Sequence, residues 1–193
     1  MSHTEIFTEI YDNNTWGGSG GGSMLSVNSQ YIQILEFFMR INQIGTVIDY
    51  GCGDWQFSKE INWGKAKYLG IDCVQSVIDK NTKEYSSTNV SFVRSEKIDG
   101  VADLLLVKDV LQHWTNEQVI SFLNDNLHKF KYIIITNNSG QTSNWEDSAT
   151  PHIQTRPLSA KFYPLKNYNP TIILETNINE PKETSLITTY KNA

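Results

Sequence analysis

The chain has 193 residues, of which 39% are hydrophobic and 19% are charged, and its formal net charge is -5 at pH 7. This length suits one domain with a large core. The acidic balance and the absence of a Lys/Arg block argue against binding to nucleic acid. Two cysteines without CxxC spacing argue against a disulfide scaffold or a zinc site. No signal-peptide pattern or long apolar run is present, so we expect a soluble cytoplasmic protein without membrane contact.

The first 23 residues are polar and end in a glycine- and serine-rich run, residues 17–23. One interpretation is a flexible linker. The other is a segment folded over a ligand, because successive glycine N–H groups can surround a carboxylate. Tyr11 and Trp16, shortly before the run, favour the second interpretation, since a bare linker does not require them.

Hydrophobic periodicity from residue 24 onwards predicts helices and strands in alternation. In chain order these are a helix over 24–43, a strand over 46–50, a short helix over 55–61, a strand over 67–72, a helix over 74–85, strands over 90–93 and 103–107, a helix over 116–128 and a strand over 132–136. Such alternation predicts an α/β fold with a doubly wound, mostly parallel sheet and helices on both faces. The nearly continuous apolar strands fit a sheet buried on both sides.

The pattern changes after residue 136. Residues 137–170 lack periodicity but contain aromatic residues, which favours a packed loop or lid over disorder. Strands over 171–176 and 184–190, joined by a turn over 177–182, predict a C-terminal antiparallel hairpin.

A glycine turn follows the strand over 46–50. Gly51 and Gly53 lack a Cβ atom, which lets a nucleotide-like ligand approach the backbone closely. Asp72 ends the next strand and can accept hydrogen bonds from ribose hydroxyls beside that turn. A dinucleotide fingerprint requires a third glycine where this chain has Gln56, so a nicotinamide cofactor is disfavoured.

Three motifs resemble those of class I S-adenosylmethionine-dependent methyltransferases. Residues 49–53 resemble the first motif, residues 69–72 the second and residues 103–113 the fourth-strand motif. The segment 11–20 is similar to the N-terminal cap of small methyltransferases of glycan and natural-product pathways.

The resemblance implies the Rossmann-like methyltransferase fold, with seven strands and a terminal antiparallel hairpin, as a single domain over residues 1–193. Residues 1–23 would form the cap and residues 137–170 the active-site lid. The implied cofactor is S-adenosylmethionine and the implied product S-adenosylhomocysteine. The implied acceptor is a small molecule or glycan, methylated at a sugar hydroxyl, and nothing in the sequence predicts an oligomeric state.

The resemblance also implies roles for individual residues. Asp49 would hold the methionine ammonium, Asp72 the ribose, and Glu96 the adenine amino group, although residues 95–96 could equally form a solvated turn. The full set implied at the cofactor is Trp16, Gly20, Asp49, Gly51, Cys52, Gly53, Asp72, Cys73, Ser95, Glu96 and Lys108.

His113 and Asp109 are the candidate catalytic residues. An alcohol must lose its proton when it is methylated, and a base with a pKa near 7 serves this step best. His113 could instead pack against or cap the following helix. The candidate residues for binding the acceptor are Trp114, Trp145, His152 and Arg156.

Two further functions remain open from the sequence. One is a cofactor-binding module without catalysis, and the other, less favoured, is a dinucleotide-dependent oxidoreductase. No spacing of metal ligands is present, so we expect no metal, although Asp109, His113, Asp147 or His152 could in principle contribute.

Overall fold

The computed structural model describes residues 2–140 and 155–189. Its contacts group into two compact units, residues 1–99 and residues 100–193, which are described separately below. No helix in the described ranges is long and apolar enough to cross a bilayer.

The first unit begins with a helix that the sequence analysis missed. Helix α1 spans His3–Asp12 and starts with a capping box, in which the Ser2 side chain accepts from the Glu5 N–H and the Glu5 carboxylate accepts from the Ser2 N–H. Only two of its residues, Ile6 and Ile10, are buried. An apolar face this small gives little periodicity, which explains why the segment was interpreted only as a polar cap or linker.

Three parallel strands form the sheet of the first unit in the order β3-β2-β1. Helix α2 (Leu25–Ile41) precedes them, as predicted. Strands β1 (Thr46–Tyr50) and β2 (Lys67–Asp72) have the predicted bounds, and helix α3 (Gln75–Tyr85) leads to β3 (Val90–Arg94). Parallel pairing places the carboxyl ends of these strands at one edge, where open α/β sheets bind ligands.

The helix predicted over residues 55–61 is wrong. The chain forms only a 3₁₀ turn at Ser58–Glu60. Trp55 has a φ of +58°, a left-handed conformation that cannot continue a right-handed helix. Its buried ring instead packs on Tyr68 and Phe92, with centroid separations of 5.6 and 5.3 Å.

The second unit starts with parallel strands β4 (Ala102–Lys108) and β5 (Phe130–Asn138). Between them lies helix α4 (Asn116–Asn126), which Thr115 begins with a second capping box. The helix ends slightly earlier than predicted and is followed by a short 3₁₀ turn, Leu127–Lys129.

The C-terminal hairpin is confirmed, but its turn is tighter than predicted. Strand β6 covers Thr171–Ile178 and β7 covers Glu180–Thr188, so a single residue, Asn179 with φ +67°, separates them. Pro181 therefore lies in β7, opposite Asn177, and not in a loop. Strand β7 also pairs antiparallel with β5, giving the order β4-β5-β7-β6 in this unit.

The predicted lid overlaps the end of β5, because residues 137 and 138 still belong to that strand. Residues 155–170 contain one short 3₁₀ helix, Leu165–Tyr168, and otherwise no regular element. Within the described residues the chain thus has seven strands, mostly parallel, with the antiparallel hairpin at the C-terminus as predicted.

Candidate functional site

The glycine turn after β1 is held by contacts to two neighbouring elements. The N–H groups of Gly51 and Cys52 both donate to the Ile71 carbonyl, at 2.8 and 3.0 Å. The Gly53 carbonyl accepts from the Asn81 amide of α3 at 2.7 Å. Gly51 and Gly53 have φ values of +76° and +55°, which glycine adopts without strain. The sequence therefore specifies this turn by its glycines and fixes it by contacts to β2 and α3.

Asp72 lies at the end of β2 and is only 8% exposed. Its Oδ2 accepts from the Gly53 N–H and its Oδ1 from the Val74 N–H, each at 3.0 Å. Burial raises the pKa of this carboxyl, while the backbone hydrogen bonds favour its ionised form. These bonds, together with donors from Cys73, orient the carboxylate beside the glycine turn.

The two cysteines of this region have raised thiol pKa values. Burial raises the pKa of the Cys73 thiol to about 12 and also raises that of Cys52. Both are free thiols, and the thiol form is a poor nucleophile.

Asp49, the acidic residue of the first motif, interacts with the core. It is 6% exposed, and its Oδ2 accepts a 2.6 Å hydrogen bond from the Tyr68 hydroxyl. Burial and the neighbouring Asp49 raise the pKa of Tyr68, which therefore remains a donor. At least one of the two Asp49 oxygens thus serves the packing of β1 against β2.

Helix α1 reaches the turn that follows β3. The Thr4 hydroxyl donates to Glu96 Oε1 at 2.7 Å, and the Arg94 guanidinium forms an ion pair with the same oxygen at 3.2 Å. The Glu96 side chain is 58% exposed. The Ser95 hydroxyl donates locally to the Lys97 carbonyl, whereas the Ser95 N–H donates to the Asp72 carbonyl at 3.0 Å.

The glycine-rich segment, residues 17–23, is bound to the turn after Gly53. The Ser19 hydroxyl accepts from the Asp54 N–H at 2.8 Å, and the Ser19 N–H donates to Asp54 Oδ2 at 3.2 Å. The Tyr11 hydroxyl is 2.7 Å from Ser19 Oγ. A Cβ atom at Gly53 would collide with Ser19 Oγ, so glycine is required there for this contact.

Further contacts fold the same part of the chain locally. The Gly18 N–H donates to the Asn14 side chain at 2.9 Å, and the Trp16 ring meets Phe7 edge-on at 5.9 Å. A flexible linker has no fixed partners of this kind. Gly20, the other residue of the segment predicted at the cofactor, has a φ of +86° and immediately precedes a 3₁₀ turn.

In the second unit, Asp109 follows β4 and has both carboxylate oxygens in ion pairs. Lys108 Nζ lies 2.5 Å from Oδ2 and Lys182 Nζ lies 2.6 Å from Oδ1, and all three side chains are mostly buried. Burial alone would raise the pKa of Asp109, but the two ammonium groups hold it below its ordinary value. A carboxylate of lowered pKa is a poor proton acceptor near neutral pH.

His113 ends the 3₁₀ turn Leu111–His113 and is 8% exposed. The preceding residue, Gln112, connects this turn to two distant parts of the chain. Its Oε1 accepts from the Asn138 N–H at 2.8 Å, and its carbonyl accepts from the Arg156 N–H at 3.1 Å. Gln112 therefore fixes the His113 turn to the end of β5 and to Arg156 within the predicted lid.

The structure brings together two of the residues predicted to bind the acceptor. Arg156 Nε donates to the Trp114 carbonyl at 2.9 Å, and the Trp114 ring packs on Phe122 of α4. Trp145 and His152 lie outside the described residues. Among the described residues no group of three or more His, Cys, Asp or Glu side chains could hold a metal ion.

Several residues that build these regions were not given a role from the sequence. They share one property, contact with a partner distant in the chain: Ser19, Asp54, Tyr68, Asn81, Gln112 and Lys182. The adjacency of Asp54 to the glycine pair was the only local indication.

No protein-family model and no curated protein sequence matches the chain. Several solved structures, by contrast, are similar to it. Magnesium protoporphyrin IX methyltransferase from Synechocystis PCC 6803, crystallised with S-adenosylhomocysteine, has a TM-score of 0.71 at 10% identity, covering 96% of this chain and 99% of that chain. The methyltransferase domain of bacterial CtHen1 has a TM-score of 0.61 at 13% identity, covering 84% and 99%.

A third similar structure is the N-terminal domain of EvdMO1, crystallised in the presence of S-adenosylhomocysteine and D-fucose. Its TM-score is 0.61 at 12% identity, with 85% of this chain and 83% of that chain covered. The predicted Rossmann-like methyltransferase fold is therefore confirmed, and so is the resemblance to class I methyltransferases on which it was based.

Proposed function

We propose that this chain, which has the class I methyltransferase fold, binds S-adenosylmethionine through its first unit and methylates a hydroxyl of a small molecule or glycan. The observation that supports this most strongly is the pairing of Asp72 with the Gly51–Gly53 turn. The turn lacks Cβ atoms at Gly51 and Gly53, and an oriented carboxylate lies beside it. This arrangement of backbone and carboxylate fits the ribose and the amino-acid portion of the cofactor.

The remaining cofactor contacts are proposed from the same geometry. Cys73 and Glu96 would border the adenine, and Trp16 and Gly20 would cover the ligand as part of the cap. The Thr4–Glu96 hydrogen bond supports this arrangement, because it ties helix α1 to the predicted adenine edge.

When bound, S-adenosylmethionine supplies a methyl group attached to a sulfonium sulfur. An acceptor oxygen attacks this methyl carbon in line with the carbon–sulfur bond. The acceptor oxygen forms the new carbon–oxygen bond, the carbon–sulfur bond breaks, and the acceptor proton passes to a base. We propose His113 as that base. Asp109 is less suitable, because its two lysine partners favour its ionised form and lower its pKa.

A sugar hydroxyl is the acceptor that we favour. Supporting it are the cap motif of residues 11–20 and the similarity to a domain crystallised with D-fucose present. Trp114 and Arg156 would contact the acceptor, since aromatic faces stack on sugar rings and guanidinium binds anions. The acidic net charge supports the exclusion of nucleic acid.

Calorimetric titration with S-adenosylhomocysteine tests the cofactor, with NADH as the competing ligand class. Wild type should bind the first and not the second. Asp72→Ala should weaken binding by about 100-fold, since hydrogen bonds to a charged group each contribute about 1.5–3 kcal/mol. Asp79→Ala, an exposed carboxylate on α3, is the matched control and should bind as wild type does. Binding of NADH alone would contradict the proposal.

Turnover with a panel of sugars tests the reaction, measured as formation of S-adenosylhomocysteine. His113→Gln should reduce kcat by about 100-fold or more, as expected for loss of a general base, while S-adenosylhomocysteine binding stays unchanged. Full turnover by this variant would remove His113 from the mechanism. Binding without turnover for every acceptor would favour the cofactor-binding module.

A further inference from the structure

We propose that Asp54 binds the primary ammonium group of the cofactor's amino-acid portion, an inference that rests on the proposed function. Asp54 is the residue directly after Gly53 and is 8% exposed. Its Oδ1 is buried and accepts no hydrogen bond from any residue in the ranges 2–140 and 155–189. A buried carboxylate oxygen without a donor is unfavourable and points to a group that binds there.

The charge of Asp54 is as informative as its open oxygen. Oδ2 accepts from the Ser19 N–H at 3.2 Å and from the Gln56 amide at 2.8 Å, and both donors are neutral. In the described part of the chain no Lys, Arg or His forms an ion pair with it. A cationic ligand group would satisfy the open oxygen and balance the charge in a single contact.

The position of Asp54 suits the amino-acid portion of the cofactor. The residue lies between the glycine turn and the glycine-rich segment, as its bonds to Ser19 and its close approach to Gly18 show. Ligands of such sheets bind at the turn after the first strand. A primary ammonium has three donors, so it can reach a carboxylate oxygen there.

The other acceptors near the turn already have partners. One oxygen of Asp49, the residue expected from the motif to hold the ammonium, accepts from Tyr68 in the core. The Gly53 carbonyl accepts from Asn81. Asp54 Oδ1 is the buried carboxylate oxygen at this turn without a donor among the described residues, and we therefore assign to it the role that the motif gave to Asp49.

The test compares two ligands that differ in the proposed contact. S-adenosylhomocysteine has the amino-acid portion, whereas 5′-methylthioadenosine has the same nucleoside and a thioether without it. Asp54→Asn should weaken the binding of S-adenosylhomocysteine by about 10- to 100-fold, the range for loss of one charge-assisted hydrogen bond. Its affinity for 5′-methylthioadenosine should remain within about twofold of wild type, which also shows that the variant is folded.

Ser19→Ala separates this role from a structural one. It removes a contact between the glycine-rich segment and the turn but leaves the Asp54 carboxylate intact. We expect it to change the affinity for both ligands to a similar extent, because the Asp54 carboxylate remains in place. The proposal would be overturned if Ser19→Ala lost affinity for S-adenosylhomocysteine alone, to the same extent as Asp54→Asn. It would also be overturned if Asp54→Asn bound S-adenosylhomocysteine as wild type does. If wild type bound neither ligand, the proposed function itself would fail, whatever Asp54 does.

Discussion

Asp54 and Asp109 are two buried carboxylates in comparable places, because each lies within a few residues of the end of a parallel strand of its own unit, β1 or β4. Asp109 has an ammonium group on each oxygen. Asp54 has only neutral partners on one oxygen and none, among the described residues, on the other. The comparison shows that residue type and position do not distinguish a scaffold carboxylate from a binding one. The number and charge of its partners do.

The turns that contain these two carboxylates, one after β1 and one after β4, also share a strained backbone. Trp55 and Asp109 have φ values of +58° and +59°, and each such conformation costs a non-glycine residue about 1–2 kcal/mol. The aromatic packing of Trp55 offsets the cost in the first unit, and the ion pairs of Asp109 offset it in the second. The two regions thus stabilise similar geometry by different interactions.

Replacing Asp109 should produce the largest effect on stability. Asp109→Asn leaves two mostly buried ammonium groups without their anion, and we expect a loss of about 3–4 kcal/mol in the free energy of unfolding. Urea denaturation at pH 7 measures it. Asp125→Asn, an exposed residue of α4, should change stability by less than about 0.5 kcal/mol. An Asp109→Asn protein as stable as wild type would show that the lysine pairs contribute no net stability.

The difference in stability between wild type and Asp109→Asn should depend on pH. A carboxyl whose folded-state pKa lies below its ordinary 3.8 stabilises the folded state above pH 3.8, and this contribution is lost as the pH falls through the lowered value. The gap between wild type and Asp109→Asn should therefore be constant from pH 7 to about 5 and shrink below about 4. A gap that grew on acidification would contradict the lowered pKa.

Breaking the contact of the glycine-rich segment should have a smaller effect. Ser19→Ala removes the hydroxyl that accepts from the Asp54 N–H and contacts the Tyr11 hydroxyl, at a cost of about 2 kcal/mol, the net value of two hydrogen bonds. Hydrogen exchange should show faster exchange at the Asp54 amide, while the amides of β1 stay protected. Unchanged exchange at Asp54 would mean that this contact is not formed in solution.

Asp54→Asn should have the smallest effect on the ligand-free protein. The substitution removes a buried charge that has no cationic partner and retains an acceptor for Ser19, so stability should stay within about 1 kcal/mol of wild type. Urea denaturation without ligand gives the value. A loss as large as that of Asp109→Asn would erase the distinction between the two carboxylates.

Strands and long helices could be predicted from the sequence because their apolar patterns are local. The bounds of β1 and β2 were correct to the residue. Helix α1 was missed because two buried isoleucines are too few to produce a pattern, and the helix over 55–61 failed because Trp55 adopts a left-handed conformation.

The candidate site likewise contains residues that the sequence predicts and contacts that it does not. Asp72 follows from its spacing to the glycine turn, and the structure places it against Gly53. The bond of Ser19 to Asp54 joins residues 35 positions apart, and that of Lys182 to Asp109 joins residues 73 apart. Partners this distant depend on tertiary packing, so no local pattern could have identified them.

The buried ring of Trp55 gives this protein an internal optical reporter. It follows Asp54 directly and lies among Tyr68, Tyr85 and Phe92, with its indole shielded from water. Indole emission shifts in wavelength and intensity with the polarity around the ring. With the other four tryptophans changed to phenylalanine, fluorescence would follow events at the glycine turn in real time, without an added label.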